Sequence, residues 1–233
     1  MSTAATNKID DLMERASQAL ASTQYFETER LALAALSMAH TAQDYERMAR
    51  IVLPLLECRR HRYQQAFDIG TLTVLTDEEP INEEYIAEPG CFVIVPMLVG
   101  ADGRRLRAAA FAQEKPLAVI CREPTTRLGL IPVVAVGGGL SIRNHVEPPD
   151  DEDAPDLAWL AEAMRAVGDA AIESLDPTMD ASRRVNGLLD RIDACPDHED
   201  LHQLLMSTCK EAHEEQQEKL ERRRARTEGA SSA

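Results

Sequence analysis

His198-Glu199-Asp200-Leu201-His202 sets two histidines four residues apart, with a glutamate directly after the first. Residues at that spacing share one face of a helix, so the two imidazoles can hold a single zinc ion. Glu199 between them can then act as general base toward a metal-bound water. The chain alone does not complete such a site. Cys209 lies seven residues beyond His202, about 10.5 Å along a helix, and His213 is farther still. A second pair, Cys58 and His61, is three apart on the N-terminal helical stretch. Docked against His198 and His202, or joined by Cys195, it would close a structural zinc site with no room for water.

The five residues match the His-Glu-x-x-His pattern and so resemble the zinc-metallopeptidase signature. The resemblance implies His198 and His202 as ligands and Glu199 as catalytic base. The local sequence also has a plain reading. Cys195-Pro196-Asp197 reads as a helix start, with Asp197 as N-cap and Asp200 three residues on, which puts His198 in the first turn. Ordinary helix-face histidines fit that arrangement without metal.

Other chemistry is thinner. Val136-Gly-Gly-Gly-Leu140-Ser141 lacks a phosphate-loop lysine and dinucleotide-binding spacing, so it reads as a turn. Ser141, His145 and Asp156 are not set in a nucleophile elbow. Arg104, Arg105 and Arg107 fall in a run read as a strand, where alternation puts Arg105 and Arg107 on one face. Edge protection explains them; docking of an acidic peptide, such as the chain's own 147–156 segment, is the functional reading.

The elements that must position these residues divide the 233-residue chain into regions. Residues 1–67 hold eight acids and eight bases and have helical periodicity, predicting helices over about 9–22, 25–41 and from Asp44 onward, with a kink or change of direction at Pro54. Residues 69–146 contain short β-rich runs: Thr71–Leu75, Cys91–Val99, Arg104–Ala112, Leu117–Cys121, Gly129–Val136 and Leu140–Arg143. Hairpin turns are expected at Gly100–Gly103 and Gly137–Gly139, and only Asp77–Pro89 leaves room for a crossover helix. Residues 147–156 read as an acidic linker, 157–226 as helices (about 157–175, 179–193 and 197–225) and 227–233 as a frayed tail. Trp159, just after the linker, is expected to anchor the C-terminal helices.

The stretch from Leu20 to Ala49 carries an aromatic at Tyr25, a small–large pair at Ala35-Leu36 and a second aromatic entry at Asp44-Tyr45. It resembles the second half of a tetratricopeptide repeat. The resemblance implies a non-catalytic helical module that holds another protein or the chain's own sheet.

Charge narrows the partners. Forty acidic against twenty-five basic residues give −15, which disfavours nucleic acid and anionic membranes. Residues 147–200 contribute sixteen acids and four arginines, a solubilising face or a dock for a basic partner. No leader or membrane-spanning run is apparent, so a cytoplasmic location is expected, with five reduced cysteines. The expectation is an α+β protein with helical N- and C-terminal regions around a small, mostly antiparallel sheet. Its expected function is protein interaction or assembly, including a homo-oligomer, with no required cofactor. The alternative is a zinc protein, structural or hydrolytic.

Overall fold

The computed structural model describes residues 3–76, 81 and 87–231. The chain is an α+β fold in which N- and C-terminal helices flank a five-stranded sheet. Three helices come first: α1 (Thr3–Ala21), α2 (Tyr25–Thr41) and α3 (Tyr45–Asp68). The sheet region contains β1 (Leu72–Leu75), β2 (Gly90–Ile94), α4 (Gly100–Ala112), β3 (Leu117–Arg122), β4 (Ile131–Val136) and β5 (Ser141–Val146). The chain closes with α5 (Leu157–Glu173), α6 (Ala181–Ala194) and α7 (Glu199–Ser231).

The strands run in the order β1-β2-β3-β4-β5. β1, β2 and β3 pair in parallel, while β3-β4 and β4-β5 pair antiparallel. The parallel β2-β3 pair needs a crossover, and α4 supplies it. This corrects the reading of Arg104–Ala112 as a strand and of Gly100–Gly103 as a hairpin turn. The physical reason is local. Leu106 and Ala110 are four apart and both buried, and Asp102 accepts a hydrogen bond at 2.8 Å from the Val99 backbone N–H, capping the helix from its first turn. The crossover anticipated within Asp77–Pro89 lies mostly outside the described residues.

The period of two along the strands builds separate cores on the two faces of the sheet. Cys91, Val93, Ala118 and Ile120 join the large cluster beneath α3 and α5, whereas Phe92, Ile94, Val119 and Cys121 pack with Leu106 and Ala110 of α4. β2 is buried along its whole length, as expected of a strand covered on both faces.

The two helical regions meet through α3 and α7, and Ile51, Leu55, Leu201 and Leu205 in these helices are fully buried. Pro54 does not divide α3, which continues as one helix to Asp68. α7 likewise continues to Ser231, through residues read from sequence as part of a tail. Within 147–156, Glu152 meets Arg122 and Thr125, and the Trp159 indole donates to the Glu147 carbonyl at 2.9 Å. The acidic segment is therefore tied to the sheet region through Arg122, not through Arg105 or Arg107. No helix among the described residues is long and apolar enough to cross a membrane.

Candidate metal centre

The two motif histidines have opposite fates because the helix begins between them. His198 sits just before α7, its backbone N–H bonded to the Cys195 carbonyl at 3.3 Å, whereas His202 lies one turn inside. His202 is fully buried and both of its ring nitrogens are engaged. Nδ1 contacts the His198 carbonyl at 2.9 Å and Nε2 contacts Arg59 Nη1 at 3.1 Å. Since a carbonyl only accepts and a guanidinium only donates, Nδ1 carries the proton and Nε2 is the acceptor. Burial, reinforced by the neighbouring Arg59 cation, lowers its pKa to about 3, so the ring is neutral. The Nε2 lone pair that a metal would need is aimed at Arg59. The His198–His202 zinc pair of the alternative reading is thus not assembled.

The supporting ligands fare no better. Cys58 is buried, its thiol bonded to the Leu55 carbonyl and its pKa raised by burial to about 12. His61 stacks on Tyr25, with ring centroids 4.7 Å apart. Cys195 is also buried, with its pKa raised by burial to about 12. None of the three converges with His198. Arg105 and Arg107 are separated too, by the turn of α4. Arg105 is exposed and pairs with Asp102 at 2.5 Å, whereas Arg107 reaches inward to the carbonyls of Val136 at 2.9 Å and Ala194 at 2.6 Å.

A different trio does converge. Asp169 on α5, His198 and Asp200 on the first turn of α7 bring one donor atom each within 4.8 Å of one another. His198 Nε2 lies 3.2 Å from Asp169 Oδ1. Two ligands of a tetrahedral zinc, each about 2.0–2.1 Å from the ion, are roughly 3.3 Å apart, so this pair already has ligand spacing. Asp200 is exposed. Asp169 is held from the opposite side by Arg165 at 3.5 Å.

The His198 ring is fixed by the backbone beneath it. A Cβ placed on Gly168 would fall 1.9 Å from the ring's Cδ2, so only glycine lets the imidazole lie against α5. Its side chain is 8% exposed, and Nδ1 is buried without a hydrogen-bond partner. Among the described residues the ring has one hydrogen-bond partner, Asp169 at Nε2, and the unpartnered Nδ1 carries a desolvation cost.

His198 and Asp200 line a cleft of about 320 Å³ whose walls also include Tyr63, Met164, Arg165 and Glu199. Glu199 is exposed and accepts from Gln203 Nε2 at 3.0 Å. Three such donors would leave a tetrahedral ion one further coordination position. Asp169 was not recoverable from the motif because it comes from another helix, and Asp200 was legible only as a capping residue. No protein-family model, no curated protein and no solved structure matches this chain.

Proposed function

We propose that this protein binds a divalent metal ion, zinc by its mixed imidazole and carboxylate donors, at Asp169, His198 and Asp200. The observation that carries the reading is the convergence of three donor atoms within 4.8 Å, two of them, on His198 and Asp200, beside a cleft. Imidazole favours zinc among the common ions, and the carboxylates offset its charge. The open face would leave the ion a bound water, and Glu199 on the same cleft wall is the residue available to accept its proton. Metal-dependent hydrolysis is the activity class that follows, with His202 outside the ligand set.

Metal content per chain, measured by mass spectrometry on protein purified without chelator, tests the assignment. About one zinc per wild-type chain is expected, with loss in Asp169→Asn and His198→Ala and retention in His202→Gln. Metal absent from the wild type, or lost from His202→Gln while Asp169→Asn keeps it, would sink the site. Glu199→Gln should keep the metal and lose turnover if the ion is hydrolytic.

Assembly with another protein is the second reading. It is favoured by the end of α7, where residues 217–227 are exposed on every side. Ion pairs such as Lys219–Glu215 and Arg222–Glu218 support that segment as a solvated helix. A repeat-like role for α1–α3 belongs to the same reading. It predicts a partner whose capture is lost when α7 is shortened at residue 216 and the metal content stays unchanged.

A further inference from the structure

On the other side of the Pro196-Asp197 turn lies a larger cleft, about 550 Å³, enclosed by α2, α3, α4 and the end of α6. It is lined by five arginines, Arg59, Arg62, Arg104, Arg105 and Arg107, but by only three carboxylates, Glu29, Asp193 and Asp197. On a chain of net charge −15 this is a local reversal of sign.

The pairing inside the cleft leaves positive charge unmatched. Glu29 alone serves two guanidiniums, accepting from Arg59 Nε at 2.8 Å and from Arg62 Nη1. Asp102, outside the cleft lining, pairs with Arg105, and Asp193 within it sits 3.6 Å from Arg104. Arg107 bonds only to backbone carbonyls, and Asp197 makes no hydrogen bond or ion pair among the described residues. Counting Asp102 with Arg105 leaves one positive charge in excess among the described residues.

Arg104 and Arg105 are exposed to solvent, and the largely buried donors left over belong to the two arginines that share Glu29. Arg59 spends Nε on Glu29 and Nη1 on neutral His202, which leaves Nη2. Among the described residues Arg62 spends only Nη1, and its buried Nε has no partner. Both side chains are largely buried, 8% and 14% exposed, so their unmatched charge and unmade hydrogen bonds carry a real desolvation cost. Arg62 is also held in place: its guanidinium carbon sits 4.2 Å from the Phe26 ring centroid and 5.2 Å from that of Phe111. Phe111, Leu33 and Leu117 add an apolar wall to the same cleft.

We propose that this cleft binds a small organic anion, with its carboxylate or phosphate on the free N–H groups of Arg59 and Arg62 and its apolar body against Phe111 and Leu33. A guanidinium fork fits either oxyanion, and a rigidly stacked Arg62 gives up little freedom on binding. The apolar wall separates such a ligand from an inorganic ion. The site stands independently of the metal centre, sharing with that cleft only the Arg107 and Pro196-Asp197 wall.

The test is calorimetric titration of the full chain, with chelator present so that no metal contributes, using phenyl phosphate, benzoate and inorganic phosphate as probes. Saturable one-site binding of phenyl phosphate or benzoate is expected, and the tighter of the two identifies the head group. Inorganic phosphate should bind at least tenfold more weakly. Arg62→Gln should weaken binding by about tenfold or more. Should that variant fail to fold, Arg104→Gln/Arg105→Gln, altered only at exposed side chains, should weaken it severalfold while Asp169→Asn leaves it intact. No saturable binding of either aromatic probe overturns the proposal. So does equal affinity for inorganic phosphate, or affinity unchanged in every arginine variant that folds.

Discussion

The imidazole of His198 rests directly on the backbone of Gly168, with 1.9 Å between the ring's Cδ2 and the place a Cβ would occupy. Alanine is the better helix former by about 1 kcal/mol, but that gain cannot offset an overlap of this depth. Gly168→Ala is expected to displace the ring, destabilise the fold by about 1–3 kcal/mol in urea unfolding, and lower metal content as His198→Ala does. A variant with wild-type stability and full metal would contradict the described seat of His198.

His202 predicts a pH dependence with a definite sign. Its folded pKa, about 3, lies below the ordinary value of 6.5, so the unfolded chain takes up the proton first as pH falls. Above about pH 6.5 the contribution to stability is complete; below it, His202 alone removes about 1.4 kcal/mol per pH unit until about pH 3. Chemical denaturation at pH 7, 6, 5 and 4 should show this slope, and His202→Gln should flatten it.

Glu29 is the carboxylate on which two buried guanidiniums depend. Burial works against its charge, but Arg59 and Arg62 overcome that cost and hold its pKa below the ordinary carboxylate value. Glu29→Gln leaves both cations without their hydrogen-bonded carboxylate, and a loss of about 3–5 kcal/mol is expected. Thermal unfolding checks it, and a shift within the error of a surface control would refute the pairing.

All five cysteines are buried and free. Burial raises the pKa of Cys58, Cys121, Cys195 and Cys209 to about 12 and that of Cys91 to about 11. Thiolate is the reactive form, and at pH 8 it amounts to about one part in a thousand or less. A chromogenic disulfide reagent should therefore find no fast-reacting thiol in the native protein and five in denaturant.

The helices on either flank were legible because their periodicity is long and their starts are marked. Asp44 caps α3 and Asp156 caps α5, each accepting from a backbone N–H three residues on. The exception is α4. Gly-Ala-Asp-Gly imitates a hairpin turn, and one buried leucine among arginines and alanines gives little period to read; the sheet faces above and below decide the matter. The histidine pair failed for a related reason. Spacing four residues apart implies one shared face only if the helix spans both, and α7 begins after the first. What the sequence could not carry at all was Asp169, 29 residues upstream of His198 and joined to it only by the packing of α5.

Arg59 and His202, 143 residues apart in the chain, touch at the seam where α3 meets α7. Synthesis proceeds at about 5–20 residues per second, so the α3 face waits about 7–30 s for the segment that covers it. Through that interval Ile51, Leu55 and the cationic Arg59 stand without their cover on the nascent chain. α7 therefore emerges well after the α3 face it packs against, and a chain that stops before α7 would leave that face uncovered.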